Sequence, residues 1–149
     1  MANDLVLREL VDGDLEALLF LYRDLHSNDE QITTVRAREV WAEILADSHQ
    51  LHLGGFIGER LVAACAVAIV PNLTRGGRPY AVIENVVTSA GLRRRGYGAT
   101  LLRAAIDRCW LRDCYKVMLM SAAARTTAHR FYEKLGFDRL SKQAFVLKR

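Results

Sequence analysis

The residues best equipped for chemistry lie in the second half of the chain, where Arg93-Arg94-Arg95-Gly96-Tyr97-Gly98 follows an extended apolar run, Tyr80–Thr88. Beyond it, Leu101, Leu102, Ala105, Ile106 and Cys109 recur with the spacing of one helix face. The six residues therefore occupy a strand-to-helix junction. Glycines at such a place leave the backbone bare, and the first helical N–H groups point outward without intrahelical acceptors. A helix end of this kind, positive by its dipole, binds anions, phosphate and pyrophosphate above all. Three consecutive arginines beside it are electrostatically unfavourable without an anion. The junction reads as a pyrophosphate cradle, and a plain structural turn is the weaker alternative.

Two other owners of glycine-rich turns fail on residue identity. The dinucleotide fingerprint needs a third glycine where this chain has Leu101, and the phosphate-binding P-loop needs a Gly-Lys-Ser/Thr ending that is absent. The preceding strand adds a second chemical group. Alternation places Tyr80, Val82, Glu84, Val86 and Thr88 on one face, so the Glu84 carboxylate is expected among mostly apolar neighbours. Partial desolvation there would raise its pKa and suit it to take a proton from an ammonium, directly or through a water. A structural salt bridge to a nearby arginine is the competing role for Glu84.

The elements that must hold these groups follow from pattern. Leu5–Leu10 is strand-like, and Asp12-Gly13-Asp14 offers a turn and helix cap before an apolar face of Leu15, Leu18, Leu19, Tyr22 and Leu25. A polar loop, His26 to Glu30, leads to a helix starting near Thr33 or Thr34 with Ala37, Val40, Trp41, Ile44 and Leu45 on one side. Gln50–Ile57 and Leu61–Val70 flank Gly58-Glu59-Arg60 as a hairpin. After the glycine motif and its helix come a short buried strand, Lys116–Ser121, and a helix around Thr127–Leu135 stopped by Gly136. Phe137–Leu140 and Ala144–Lys148 are expected as two last strands. The order β-α-α-β-β-β-α-β-α-β-β predicts an α/β (α+β) protein, a mixed sheet with helices packed on it.

Composition sets the bounds. At 149 residues the chain is expected to be a single domain, 1–149, and 51% hydrophobic with 26% charged residues is ordinary for a globular protein. The net charge of +4 is mild and partly local to the arginine cluster, with no broad basic-aromatic face, so nucleic acid is an unlikely partner. Cys65, Cys109 and Cys114 have no metal-type spacing and lie in apolar runs, as reduced core thiols of a cytoplasmic protein do. No metal is expected. No run approaches a membrane span, so no membrane is expected either.

The motifs have a family likeness. Val86-Val87-Thr88 followed by Arg93-x-x-Gly96-x-Gly98 resembles motif A of the GCN5-related N-acetyltransferase (GNAT) family, with its Arg/Gln-x-x-Gly-x-Gly/Ala signature. Thr127 to Phe137, with Phe131-Tyr132-Glu133-Lys134-Leu135-Gly136-Phe137, resembles its motif B. The two independent motifs, in the right order and spacing, cover roughly the last 70 residues, and the N-terminal β-α-α pattern is compatible, far more than a lone Gly-x-Gly.

It implies the GNAT fold, a central, mostly antiparallel twisted sheet flanked by helices with one splayed strand pair, and acetyl transfer from acetyl-coenzyme A (acetyl-CoA) to an amine. It implies that Arg93, Arg94, Arg95, Gly96, Tyr97, Gly98 and Ala99 hold the pyrophosphate, the backbone N–H groups from Arg94 through Ala99 gripping it. Val86, Val87 and Thr88 then line the pantetheine arm, and an N–H of Val86 or Thr88 stabilises the thioester oxygen. Tyr132 becomes the general acid that protonates the departing thiolate, and Glu84 the candidate base.

Within the family, Ile83–Val87, Cys114–Val117 and Phe131–Lys134 are similar to glucosamine-6-phosphate N-acetyltransferases, where the matching glutamate lies at the substrate site. One departure stands against that subgroup, Met120-Ser121 in the place of its Asp-Cys pair; a second, Arg125 in place of the asparagine common at the start of motif B, alters one coenzyme contact that the family resemblance implies. The expected acceptor is a small-molecule primary amine. The alternatives are a protein N-terminus or lysine, an aminoacyl-tRNA, or a non-catalytic acetyl-CoA-binding module. His26, Asp29 and Glu30 border the acceptor cleft in this fold or form a plain solvated loop. A homodimer is the expectation from the family alone.

Overall fold

A computed structural model describes residues 4–149, which form two compact units, one ending at Met118 and the other beginning at Leu119. In the first, β1 (Val6–Glu9) is followed by α1 (Leu15–Tyr22), α2 (Thr34–Ala46), β2 (Gln50–Ile57), β3 (Arg60–Val70), β4 (Tyr80–Thr88) and α3 (Tyr97–Leu111). β5 (Val117–Leu119) crosses the boundary, and α4 (Thr126–Lys134) belongs to the second unit. The strands are ordered β1-β2-β3-β4-β5. The first four are antiparallel. β5 joins β4 in parallel, with Tyr115 N–H donating to Pro79 O at 2.9 Å and Ala81 N–H to Lys116 O at 3.0 Å. The mixed sheet with flanking helices is the expected architecture.

One sheet face buries Leu53, Cys65, Val67 and Ile83 together with the α3 residues Leu101, Leu102, Ala105 and Cys109, all at most 1% exposed. The other face carries Leu10, Phe56, Leu61, Ala64 and Val87 against Leu18 and Leu21 of α1 and Trp41 of α2. Leu21 was not on the expected face of α1, yet it is 3% exposed, because the helix starts from the Asp12–Asp14 turn and ends at Tyr22. That start is fixed by Asp14, which accepts from Val11 N–H at 2.7 Å and from both Arg8 terminal nitrogens at 2.7 and 2.9 Å. Gly54 leaves the room this core needs: a Cβ there would meet Leu10, Leu61 and Phe56 inside 3 Å. Thr33 caps α2, its Oγ1 accepting from Arg36 N–H at 3.2 Å.

In the second unit, α4 ends as the sequence predicts. Gly136 has φ +98°, its N–H reaches Glu133 O at 3.0 Å, and Phe137 N–H reaches Tyr132 O at 3.2 Å, a Schellman closure. The two expected last strands are absent: residues 137–149 contain a turn, closed by Leu140 N–H on the Asp138 carboxylate at 2.8 Å, and no strand. Phe145, Val146 and Leu147 alternate no buried face, being 90%, 65% and 100% exposed. A strand needs a neighbouring ladder to satisfy its backbone, and this segment has none among the described residues. β5 is also shorter than expected, and Met120 lies beyond its end, 55% exposed instead of in the core.

Candidate active site

The glycine motif folds as its composition requires. Arg94 and Gly96 both take left-handed backbone angles, φ +63° and +85°, and Gly96 is the N-cap of α3. A Cβ at Gly96 would meet nothing within 4 Å, so the space in front of the helix is open. The first bond of the helix runs from Thr100 N–H to Gly96 O at 3.0 Å, which leaves the N–H groups of Tyr97, Gly98 and Ala99 ahead of any intrahelical acceptor. Tyr97 offers only its backbone, since its ring is 5% exposed and its hydroxyl faces Asp4 at 3.5 Å. These features fit a pyrophosphate.

The three arginines are not equivalent. Arg93 is a staple: its Nε donates to Thr88 O at 3.3 Å and its Nη2 to Asp24 O at 2.9 Å, while the Asp24 carboxylate accepts from Ala90 N–H at 2.9 Å. It ties the end of β4 to the end of α1 and holds the loop in shape. Arg94 and Arg95 are exposed.

β4 departs from simple alternation. Glu84 pairs with Ala66 but Val87 pairs with Ala64, so two residues of β4, Asn85 and Val86, oppose Cys65 alone. Asn85 takes φ +52° at this bulge, and its side chain hydrogen-bonds the Tyr22 phenol. Burial pushes the Tyr22 pKa up to about 12, which keeps the phenol a neutral partner for Asn85. The shift in phase corrects the expected arrangement: Glu84 shares its face with Val87, not with Thr88, whose partner is Ala63. Glu84 is also exposed, so the desolvation expected for it is not found. Its cross-strand neighbour Ala66 is too small to cover it.

Past the bulge, the outer edge of β4 outruns β5. β5 has three residues, beginning just after the Lys116 carbonyl that accepts from Ala81 N–H, against nine in β4. Val86, Val87 and Thr88 lie at the far end of β4 from the Pro79 and Ala81 bonds to the segment that leads into β5.

In the second unit, Tyr132 packs edge-on to Phe131, with centroids 5.2 Å apart, and to Phe137, at 6.1 Å. Its carbonyl closes the helix end, so the glycine cap fixes the backbone from which the phenol projects. Arg125, exposed, is the residue before α4. His129 is half-buried, and its Nε2 lies 2.9 Å from Ala122 O, clipping the loop ahead of α4. His26, Asp29 and Glu30 are exposed between α1 and α2, where the Asp29 carboxylate accepts from Glu30 N–H at 3.0 Å.

One chemical group escaped the sequence reading. His52 lies on β2 opposite Ala66, so His52, Ala66 and Glu84 form one row across three strands on the same face. The His52 ring meets Trp41 edge-on, with centroids 5.3 Å apart. The only signal in the sequence was a histidine between two leucines of a strand, Leu51-His52-Leu53.

Residues 15–137 match the family model described as the acetyltransferase (GNAT) family. The chain belongs to the GNAT family. It is 37% identical over 84 residues to the glucosamine 6-phosphate N-acetyltransferase of Trypanosoma brucei brucei, a match covering 56% of this chain and 55% of that protein. The chain thus spans about half the length of the curated relatives it matches. Among solved structures it is similar to a putative acetyltransferase from Agrobacterium tumefaciens, with TM-score 0.92 and 42% identity over 97% of this chain and 99% of the other. A protein from Bacillus halodurans described as a transcriptional regulator gives TM-score 0.89 and 31% identity over 97% and 99%. Among the described residues no cluster of His, Cys, Asp or Glu has the makings of a metal site, and no helix is long and apolar enough to cross a membrane.

Proposed function

We propose that this GNAT protein is a single-domain N-acetyltransferase that carries an acetyl group from acetyl-CoA to a primary amine of a small molecule. The observation that carries the reading is the open α3 N-terminus, whose Tyr97, Gly98 and Ala99 N–H groups face outward directly after the bulged strand that bears Glu84. Those amides, with Arg94 and Arg95 beside them, hold the pyrophosphate. Val86 and Thr88 align the pantetheine arm through their backbones, and an N–H at this edge supports the thioester oxygen as charge develops on it. The bound co-substrate supplies an activated acyl thioester. Arg93 holds the loop rather than the ligand, and Arg125 stands at the start of motif B as a coenzyme contact.

Glu84, exposed and acidic, receives the amine as its ammonium and takes the proton that must leave before nitrogen can attack, directly or through a water. The Tyr132 hydroxyl returns a proton to the departing sulfur. The order is direct attack with both substrates bound. The relatives named glucosamine 6-phosphate N-acetyltransferase support a small amine acceptor. Met120-Ser121, where that subgroup has an Asp-Cys pair, leaves the sugar phosphate as one candidate among small amines.

The test is acetylation of a panel of small amines, amino sugars and their phosphates included, read by release of coenzyme A thiol. Transfer to at least one acceptor, abolished by saturating desulfo-coenzyme A, supports the reading. Coenzyme binding by calorimetry with no transfer to any amine would replace it with a non-catalytic binding module.

A further inference from the structure

Trp41 is 2% exposed, and its indole Nε1, a donor only, has no acceptor. On the ring beside it, His52 Nδ1 is likewise buried and unpartnered. Buried polar atoms are seldom left without a partner. Here a donor without an acceptor lies against a group that accepts when unprotonated. A proton on Nδ1 would leave two buried N–H groups facing nothing, so the pair places the lone pair on Nδ1 and the proton on Nε2. Burial also disfavours the doubly protonated ring, pushing the His52 pKa below its ordinary value. Nδ1 is the His52 nitrogen sealed from solvent, so the free edge presents a neutral Nε2–H donor.

That donor closes one end of the row His52–Ala66–Glu84. Strands lie about 4.8 Å apart, so the two polar residues stand roughly 10 Å apart at their Cα atoms. Ala66 is half-buried and Ala68, two residues on and on the same face, is exposed, so methyl groups floor the trough between them. A carboxylate at one end and a neutral N–H donor at the other, above an apolar floor, match a ligand with a cation at one end and an oxygen acceptor at the other.

We propose that this alanine-floored row is the acceptor subsite, selecting a primary amine that carries a hydroxyl within one ring's breadth of its nitrogen, with His52 as the positioning residue that donates to that hydroxyl. The inference rests on the acceptor being an amine, as proposed above. Trp41 acts through His52 by fixing its tautomer.

The experiment measures binding, by calorimetry on the full chain saturated with coenzyme A, of 2-, 3- and 4-aminocyclohexanol against cyclohexylamine. The wild type binds at least one aminocyclohexanol about fivefold more tightly than cyclohexylamine, the effect of one neutral hydrogen bond. His52→Phe, which keeps a ring against Trp41, brings that ratio to about one by weakening the hydroxylated ligand alone. His52→Gln, whose Nε2 lies where the imidazole Nε2–H lies, restores most of it and covers the case in which the phenylalanine variant does not fold. A wild type without the preference overturns the inference, and so does a preference that survives in folded His52→Phe. Preference without acetyl transfer sinks the proposed activity and leaves the subsite. Transfer without preference does the reverse.

Discussion

At the residue scale the site divides into groups that work through their side chains and groups that work by having none. Tyr132, the proposed general acid, is of the first kind. Replacing it with Phe keeps the edge-on packing with Phe131 and Phe137 and removes only the hydroxyl. Loss of a general acid costs about 10²–10⁴ in rate, so Tyr132→Phe should lower kcat by at least about a hundredfold and leave coenzyme affinity nearly unchanged. Steady-state kinetics beside calorimetry decides this, and an unaltered kcat removes Tyr132 from the mechanism.

Gly96 is of the second kind. At φ +85° a Cβ is strained whatever the space around it, by about 1–2 kcal/mol. Gly96→Ala should therefore weaken coenzyme binding about tenfold or more as the loop relaxes from the shape that presents the α3 amides. A coenzyme dissociation constant equal to the wild type would show that the loop's conformation does not matter to binding. Gly96 was legible in sequence because its demand is local, a glycine at a helix start read within one turn, whereas the role given to Tyr132 rests on the resemblance of its segment to motif B. His52 was not legible, because what gives it a role is Trp41, which lies on another element.

Elements carry a different kind of information, and β4 shows where sequence pattern fails. Periodicity found the strand with the boundaries it has, Tyr80–Thr88, yet it placed Glu84 and Thr88 on one face. The bulge at Asn85 and Val86 shifts the phase, and a single asparagine that tolerates φ +52° was its only trace. Asn85→Val tests the device. A β-branched residue is a poor occupant of that backbone region and also loses the Tyr22 hydrogen bond. The expected cost is about 2 kcal/mol, or a melting temperature lower by roughly 4–8 °C for a chain of this size, with activity falling further than stability because Val86 and Thr88 are re-aimed. Asn85→Gly, which keeps the conformation, should retain activity. The tail fails in the opposite direction. Its apolar alternation was read as strand, but alternation expresses only local preference, and residues 137–149 pair with no ladder among the described residues.

For the whole molecule, the buried titratable groups set how the fold responds to pH. Burial raises the Cys65 and Cys109 thiols to about 12 and about 11, so neither is a nucleophile in the folded protein, and thiol reagents should modify them only on unfolding. On the acid side two groups act in sequence. The His52 pKa is depressed by burial, so between its folded and unfolded values the unfolded chain binds the extra proton. Stability is therefore full above about pH 6.5 and declines as pH falls below it. The Asp14 carboxyl is held low, first by its hydrogen bonds from Arg8. Its contribution is present above the ordinary carboxylate range and is lost only as pH falls through the lower, folded value. Urea midpoints at pH 7.5, 5.5 and 3 should thus fall in two stages. His52→Gln should flatten the first and leave the second, while Asp14→Asn should lower stability at pH 7.5 and shrink the second, to which Asp47, held low first by the His49 N–H, also contributes. Equal pH dependence in wild type and His52→Gln between pH 7.5 and 5.5 would mean that the ring is protonated as readily in the fold as in water. That result would also remove the neutral Nε2–H donor from the acceptor row.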